Sequence, residues 1–268
     1  MRTMKILTVD WDRFFPSTAP YDWGHSEHNG FFAELCWPMR AYNRPWGRPN
    51  EQPAIEVMRP SGHEGFWEQV LDPAIAPTKL IVADSHSVMN SVLKDVGRFK
   101  PEVVNYDAHH DMGYGVYDDA QNPPDCANWA WYGFKNKQMS KYTQVAPRWR
   151  AEEPEDFEAR ALHLPRQGKR NADATITTVP PEPAFYSIVV ICRSSCWTPS
   201  WSDGEWMKFI GWWEQKYPRL WASKGYNEFA LKPRSFSPED AKRIDEAFQA
   251  AKSGCQVKAK PMAMAEER

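Results

Sequence analysis

KPEVVNYDAHHDMGY, residues 100–114, joins a short apolar run to four ionisable side chains packed into five positions. Val103, Val104 and Tyr106, following Pro101, read as a buried strand, and Asp107, His109, His110 and Asp111 come directly after it. Burying such groups without a partner is costly, because each gives up its hydration. Two readings stay open on these residues alone. A metal ion compensates the charges, or the segment is a solvated loop tip.

The same pattern occurs twice upstream. MKILTV (4–9) reads as a strand ending at Asp10-Trp11-Asp12, and TKLIVA (78–83) as one ending at Asp84-Ser85-His86-Ser87. Further strands are read at KYTQVA (141–146), ATITTV (174–179) and FYSIVVIC (185–192). Between them the apolar spacing predicts helices around FFAELCWPMRAY (31–42), GHEGFWEQVLD (62–72), SVMNSVLKDVGRF (87–99), ANWAWYGFKNKQ (127–138) and DGEWMKFIGWWEQKY (203–217). A last helix is expected over 237–254, with Ser237 as N-cap, Pro238 at N1 and Gly254 as the stop. The charged run EEPEDFEAR reads as a solvated face.

Strands alternating with helices predict an α/β domain with a mostly parallel sheet. Residues 1–254 are read as one such domain and 255–268 as a flexible tail. In parallel sheets the ligand site lies beyond the carboxyl ends of the strands. If the three strands share a sheet, Asp10, Asp12, His86, Asp107, His109 and Asp111 converge. Four carboxylates with two imidazoles suit a pair of hard or borderline divalent ions such as Mn²⁺ better than structural zinc.

Composition narrows the partners. The chain has 268 residues, 42% hydrophobic and 25% charged, with a net charge of -2, a pI near 6.4 and a mean hydropathy of -0.68. That balance leaves no basic footprint for nucleic acid. No run approaches the roughly 20 apolar residues of a membrane helix, and MRTMKILTVDWD reaches two aspartates too soon for a signal peptide. Cys36, Cys126, Cys192, Cys196 and Cys255 are irregularly spaced and odd in number, which fits a reducing, cytoplasmic setting rather than a disulfide framework. The 14 tryptophans are read as packing residues.

These motifs carry a family resemblance. DAHHD resembles the Asp-x-His-x-Asp signature of the arginase/deacetylase (ureohydrolase-like) superfamily, DSHS its Gly-Gly-Asp-His-Ser segment, and VDWDRFFP its Asp-x-Asp segment. The closest likeness is to an arginase-like family that includes peptide arginases; CANWAW and ICRSSCWTPSWSD are also similar there. The motifs are spread over roughly residues 1–215.

The resemblance implies a three-layer sandwich and two Mn²⁺ per chain, with Zn²⁺ or another divalent ion as the alternative. His86, Asp107 and Asp111 would hold one metal with Asp10 bridging, and Asp107, His109, Asp10 and Asp12 the other. A metal-bridging hydroxide would then cleave a guanidinium or amide C–N bond, for example converting an arginine side chain in a peptide to ornithine and urea. The expected partner is a small guanidino compound or an arginine-containing peptide, with neither nucleic acid nor membrane. One departure stands out. In arginases the Asp-x-Asp segment follows Asp-x-His-x-Asp, and here it comes first, while the later strand carries Cys192 and Ser194 where carboxylates are sought. Either a rearranged strand order places the N-terminal strand in that slot, or the second metal is weak or absent.

Other site assignments are less constrained. His110, His25 or His28 could donate a proton to the leaving amine. Asn128 and Arg193 could face the substrate, although Asn128 could instead cap its helix. Glu27, Asp203 and Glu205 are candidates to meet a guanidinium. Two rival readings remain. ILTVDWDRF also fits a haloacid-dehalogenase-like phosphatase with Asp10 as nucleophile, Asp12 as acid and Mg²⁺ bound. The chain could also be a non-catalytic interaction protein on a degenerate hydrolase scaffold.

Overall fold

Strand β1 (Lys5–Asp10) lies inside a sheet of seven described strands, flanked by β3 (Glu102–Tyr106) on one side and β6 (Ile188–Cys192) on the other. The computed structural model describes residues 3–16, 37–42, 52–113, 123–150 and 173–256. The remaining strands are β2 (Lys79–Ala83), β4 (Lys141–Val145), β5 (Asp173–Thr177) and β7 (Gly225–Tyr226). Their order is β5-β4-β3-β1-β6-β2-β7, and every pair is parallel. The fold is therefore α/β with a parallel central sheet, as the alternation predicts.

Besides a helical stretch at 37–40, the helices among the described residues are α1 (Ala54–Val57), α2 (Phe66–Val70), α3 (Val88–Val96), α4 (Trp129–Lys135), α5 (Asp203–Lys216), α6 (Pro218–Ala222) and α7 (Pro238–Gln256). Successive strand residues point to opposite faces. Ile6, Val103, Tyr142, Ile188 and Val190 accordingly meet Met89, Val92 and Leu93 of α3 and Trp129, Ala130 and Phe134 of α4. Leu7, Val9, Tyr106, Val189 and Ile191 meet Phe66, Trp67 and Val70 of α2 and Trp206, Phe209, Ile210 and Trp213 of α5. Both faces are covered, which makes three layers and explains why the strands read as unbroken apolar runs.

Among the described residues, six tryptophans pack the interior. Trp11, Trp37, Trp129, Trp206 and Trp213 are almost fully buried, each removing about 150–250 Å² from water, on the order of 4–6 kcal/mol before entropy is charged against it. Trp67 stacks on Phe209 at 4.7 Å and meets Trp213 edge-on at 5.0 Å.

Some elements differ from the sequence reading. The helix expected over 62–72 is confined to Phe66–Val70, because Gly62 and Gly65 adopt φ of 74° and 68° ahead of it. The last helix starts as expected, with the Ser237 hydroxyl accepting from the Asp240 N–H. It runs past Gly254 to Gln256, since one glycine in a helix costs only about 1 kcal/mol. Helix α6 and the two-residue β7 carry no periodic signal and were not expected. Residues 31–36 of one expected helix, the run EEPEDFEAR and residues 257–268 lie outside the described residues, as do His25, Glu27 and His28. Among the described residues no helix is long and apolar enough to cross a membrane.

The strand order also fixes where a ligand would sit. The chain leaves β1 toward β2 on one side of the sheet, and leaves β3 toward β4 on the other. Adjacent parallel strands whose connections part in this way open a crevice at their carboxyl ends. Asp10 ends β1, and Asp107 follows β3.

Candidate metal centre

Val9 pairs with Tyr106 and Asp10 with Cys192, so Asp10 and Asp107 emerge side by side at that edge. Asp12 sits on the 3-10 turn Trp11–Phe14 that follows β1, with Asp10 as its cap: the Asp12 N–H donates to Asp10 Oδ1 at 3.1 Å. His86 follows β2 at the start of α3. All six predicted ligands are described, and five of them are buried, with His109 half-buried.

They form two groups that share one carboxylate. Asp10, His86 and Asp107 present ligand atoms within 4.8 Å of one another, and so do Asp12, Asp107 and His109. His86 Nδ1 lies 3.3 Å from Asp10 Oδ2, 3.0 Å from Asp107 Oδ2 and 2.8 Å from Asp111 Oδ2, which sets Asp111 beside the first group. In the second group His109 Nδ1 lies 2.6 Å from Asp12 Oδ2 and 3.8 Å from Asp107 Oδ1. The strand order brings the N-terminal Asp-x-Asp segment next to β3.

A second layer of side chains holds the ligands. His86 Nε2 is 2.7 Å from Thr8 Oγ1. Asn105 Nδ2 donates to Asp107 Oδ2 at 3.1 Å, Trp129 Nε1 to Asp111 Oδ2 at 2.5 Å, and the Ser194 hydroxyl to Asp10 Oδ2 at 2.5 Å. The backbone is bent to suit: Asp111 and Ser194 adopt left-handed φ values of 50° and 49°. Such conformations are uncommon outside glycine and concentrate at functional sites.

The electrostatics ask for cations. One ring nitrogen carries at most one hydrogen, so at most one of the three oxygens around His86 Nδ1 can accept from it. Burial, then the charges of Asp12 and Asp107, push the Asp10 carboxyl well above the usual carboxylate range, against the pull of His86. Burial and Asp107 do the same to Asp111. Burial would also raise Asp107, but its hydrogen bond to His86 and the charges of His86 and His109 outweigh it and hold Asp107 well below that range. His86 is driven up: burial opposes its charge, but the negative charge of Asp111 and the nearness of the Asp10, Asp107 and Asp111 carboxylates prevail. Without a metal, protons supply the missing positive charge.

The donor set fits a metal pair. Four carboxylates at -1 and two neutral imidazoles sum to -4, which two divalent ions cancel. Oxygen with imidazole nitrogen suits hard or borderline divalent ions, and neither group includes a thiol.

The remaining candidates are placed as follows. Arg193 is buried and its guanidinium is committed to protein acceptors: Nε to Asp84 Oδ1 at 2.7 Å, Nη1 to Asp203 Oδ2 at 3.2 Å and to the Lys232 carbonyl, and Nη2 to the Phe229 carbonyl. Asp203 also pairs with Arg234 at 2.5 Å. Neither residue of this network is disposed to meet a substrate. Glu205 lies with Lys208 and His63 instead of with the ligands. Asn128 occupies the N-cap position of α4 without capping it; its side chain accepts from the Asp125 N–H and donates to the Pro123 carbonyl, closing the preceding loop. His110 Nδ1 accepts from the Met112 N–H at 3.1 Å. Sequence reasoning missed Thr8, Asn105, Trp129 and Ser194 as supports. Thr8 and Asn105 had a usable signal, being polar residues inside apolar strands, each two positions before a ligand.

Compared with protein-family models, with curated proteins and with solved structures, the chain gives no match.

Proposed function

We propose that this chain is a metal-dependent hydrolase acting on C–N bonds other than peptide bonds, with a guanidinium or amide carbon as its target. The observation that carries the reading is the sharing of Asp107 between two ligand groups at the carboxyl edge of the sheet. Asp10, His86, Asp107 and Asp111 would hold one ion, and Asp12, Asp107 and His109 the other. Bound there, a pair of divalent ions such as Mn²⁺ supplies a water of lowered pKa and positive charge for a developing oxyanion.

The chain's own residues set the geometry. Thr8 Oγ1 keeps the His86 ring turned with Nδ1 toward the carboxylates, the kind of outer contact that orients metal-ligating histidines. The His109 N–H donates to Asp107 Oδ1 at 2.7 Å and fixes that oxygen between the groups. Both oxygens of Asp10 accept hydrogen bonds, Oδ1 from the Asp12 N–H and Oδ2 from the Ser194 hydroxyl, which supports a ligand role over attack on phosphorus. His110, whose Nδ1 accepts from the Met112 N–H, and His25 stay the candidate proton donors.

The test is a product screen on Mn²⁺-loaded protein: urea from arginine, agmatine and arginine-containing peptides, amine from acylated amines, and phosphate from a generic phosphomonoester, with Asp107→Asn as the blank. Urea or amine release that Asp107→Asn abolishes is expected. Phosphate release lost in Asp10→Asn would transfer the reading to a phosphatase, and no turnover of any class would favour an interaction protein.

A further inference from the structure

The arginines around the carboxyl edge of the sheet are of two kinds. Arg193 and Arg234 are committed within the protein, their guanidinium groups tied to Asp84, Asp203 and backbone carbonyls. Arg13 is not. It follows the ligand Asp12 on the turn Trp11–Phe14. Among the described residues its guanidinium makes one hydrogen bond, from Nη1 to the Val145 carbonyl, and no ion pair. A guanidinium carries five N–H donors, so most of them stay open. The residue is only partly buried, which leaves it within reach of a ligand.

Its position is set by its neighbours. The Arg13 Cζ atom lies 4.9 Å from the centre of the Tyr106 ring and 6.0 Å from that of Phe14, and Trp149 Nε1 donates to the Arg13 carbonyl at 3.3 Å. Tyr106 immediately precedes Asp107, and Val145, the last residue of β4, pairs with Tyr106. The guanidinium therefore lies across the carboxyl ends of β3 and β4, beside the crevice that β1 and β3 open. Burial lowers its pKa to about 10, and Asp107 and Asp12 are near enough to favour its charge without pairing with it.

A flat guanidinium with open donors matches a carboxylate, which it grips through two parallel N–H bonds. An oxyanion developing at the reacting carbon has the metal pair as its counter-charge, so Arg13 remains for a second anionic group. The same cation is a poor neighbour for a substrate that carries positive charge alone.

We infer that Arg13 is a substrate-binding residue that takes a carboxylate, so that the chain acts on guanidino or acylamino acids with a free carboxylate in preference to their carboxamides and to amines such as agmatine. The inference rests on the hydrolase reading above and narrows its substrate class. It also orients the substrate, with its carboxylate toward β4 and its scissile carbon toward Asp107.

Two matched pairs test it by calorimetry on Mn²⁺-loaded full-length protein: arginine against argininamide, and Nε-acetyllysine against its carboxamide, with metal content measured alongside. In at least one pair wild type should bind the acid about 10–100-fold more tightly than the carboxamide, the range for a hydrogen-bonded charge pair. Arg13→Met should bind both members equally and still hold its metal. A merely structural arginine would weaken both members alike and leave the preference in place. Because Arg13→Met could fail to fold, Arg13→Lys gives a second route: it keeps the charge, loses the fork and should keep only part of the preference. Equal affinity for acid and carboxamide in wild type, a preference that survives in Arg13→Met, or no binding of any probe by metal-loaded wild type would overturn the carboxylate site and leave the metal pair standing. Wild type that binds no ion overturns the hydrolase reading; an acid preference that Arg13→Met abolishes in that metal-free protein would still uphold the carboxylate site.

Discussion

Ser194 and Asp10 are 184 residues apart in sequence, and the hydroxyl of the first donates to Oδ2 of the second at 2.5 Å. Ser194 follows β6 by two positions, where a carboxylate was sought. The carboxylate comes instead from the neighbouring strand, at the level of Cys192, and the serine holds it. Because Ser194 has φ of 49°, glycine there relieves the backbone strain that serine carries, whereas alanine keeps it, a difference of about 1 kcal/mol. Ser194→Gly should bind Mn²⁺ about tenfold more weakly than wild type and unfold at a higher temperature than Ser194→Ala. Calorimetry and thermal unfolding check both; equal Mn²⁺ affinity in wild type and Ser194→Gly would remove the hydroxyl from the account.

The metal-free protein should lose stability as pH rises. The folded-state pKa values of His86, Asp10 and Asp111 all lie above their ordinary values. Each group therefore stabilises the fold fully below its unfolded pKa, and that contribution is lost as pH climbs through the raised folded value. Asp107, held low, acts in the opposite sense, its contribution disappearing only in strong acid. Thermal unfolding of chelated protein between about pH 5 and 9 should show a falling midpoint, and saturating Mn²⁺ should flatten the profile, because the ions replace the protons. A chelated protein whose midpoint rises with pH over that range would contradict the charge arrangement.

Arg193 should behave as a structural residue. It bridges Asp84 after β2 and Asp203 at the start of α5, and Arg234 completes the network. Removing one partner leaves a buried charge uncompensated, which costs about 3–5 kcal/mol. Arg193→Met and Asp203→Asn should each show that loss in urea unfolding. An Arg193→Met protein of unchanged stability with a raised KM would return Arg193 to the substrate.

The sheet was legible because its strands are buried on both faces and so read as short apolar runs between helical patterns. The convergence of Asp10, Asp12, His86, Asp107, His109 and Asp111 was legible for a topological reason: parallel strands share one carboxyl edge, whatever their order. The order itself was not. Nothing local in MKILTV says that β1 lies between β3 and β6, since pairing is decided by which crossovers can pack. Arg193 misled because a cation beside a ligand strand looks the same in sequence whether it faces solvent or a buried aspartate. Ser194 and Trp129 were hidden because their partners, Asp10 and Asp111, are distant in sequence or set by a left-handed turn.

Metal content decides the central claim. Purified protein dialysed against Mn²⁺ and then passed through a desalting column should retain about two ions per chain. Asp107→Asn, which alters the carboxylate common to both groups, should retain neither. Wild type without bound metal under Mn²⁺, Zn²⁺ or Mg²⁺, or an Asp107→Asn protein that keeps both ions, would contradict the account.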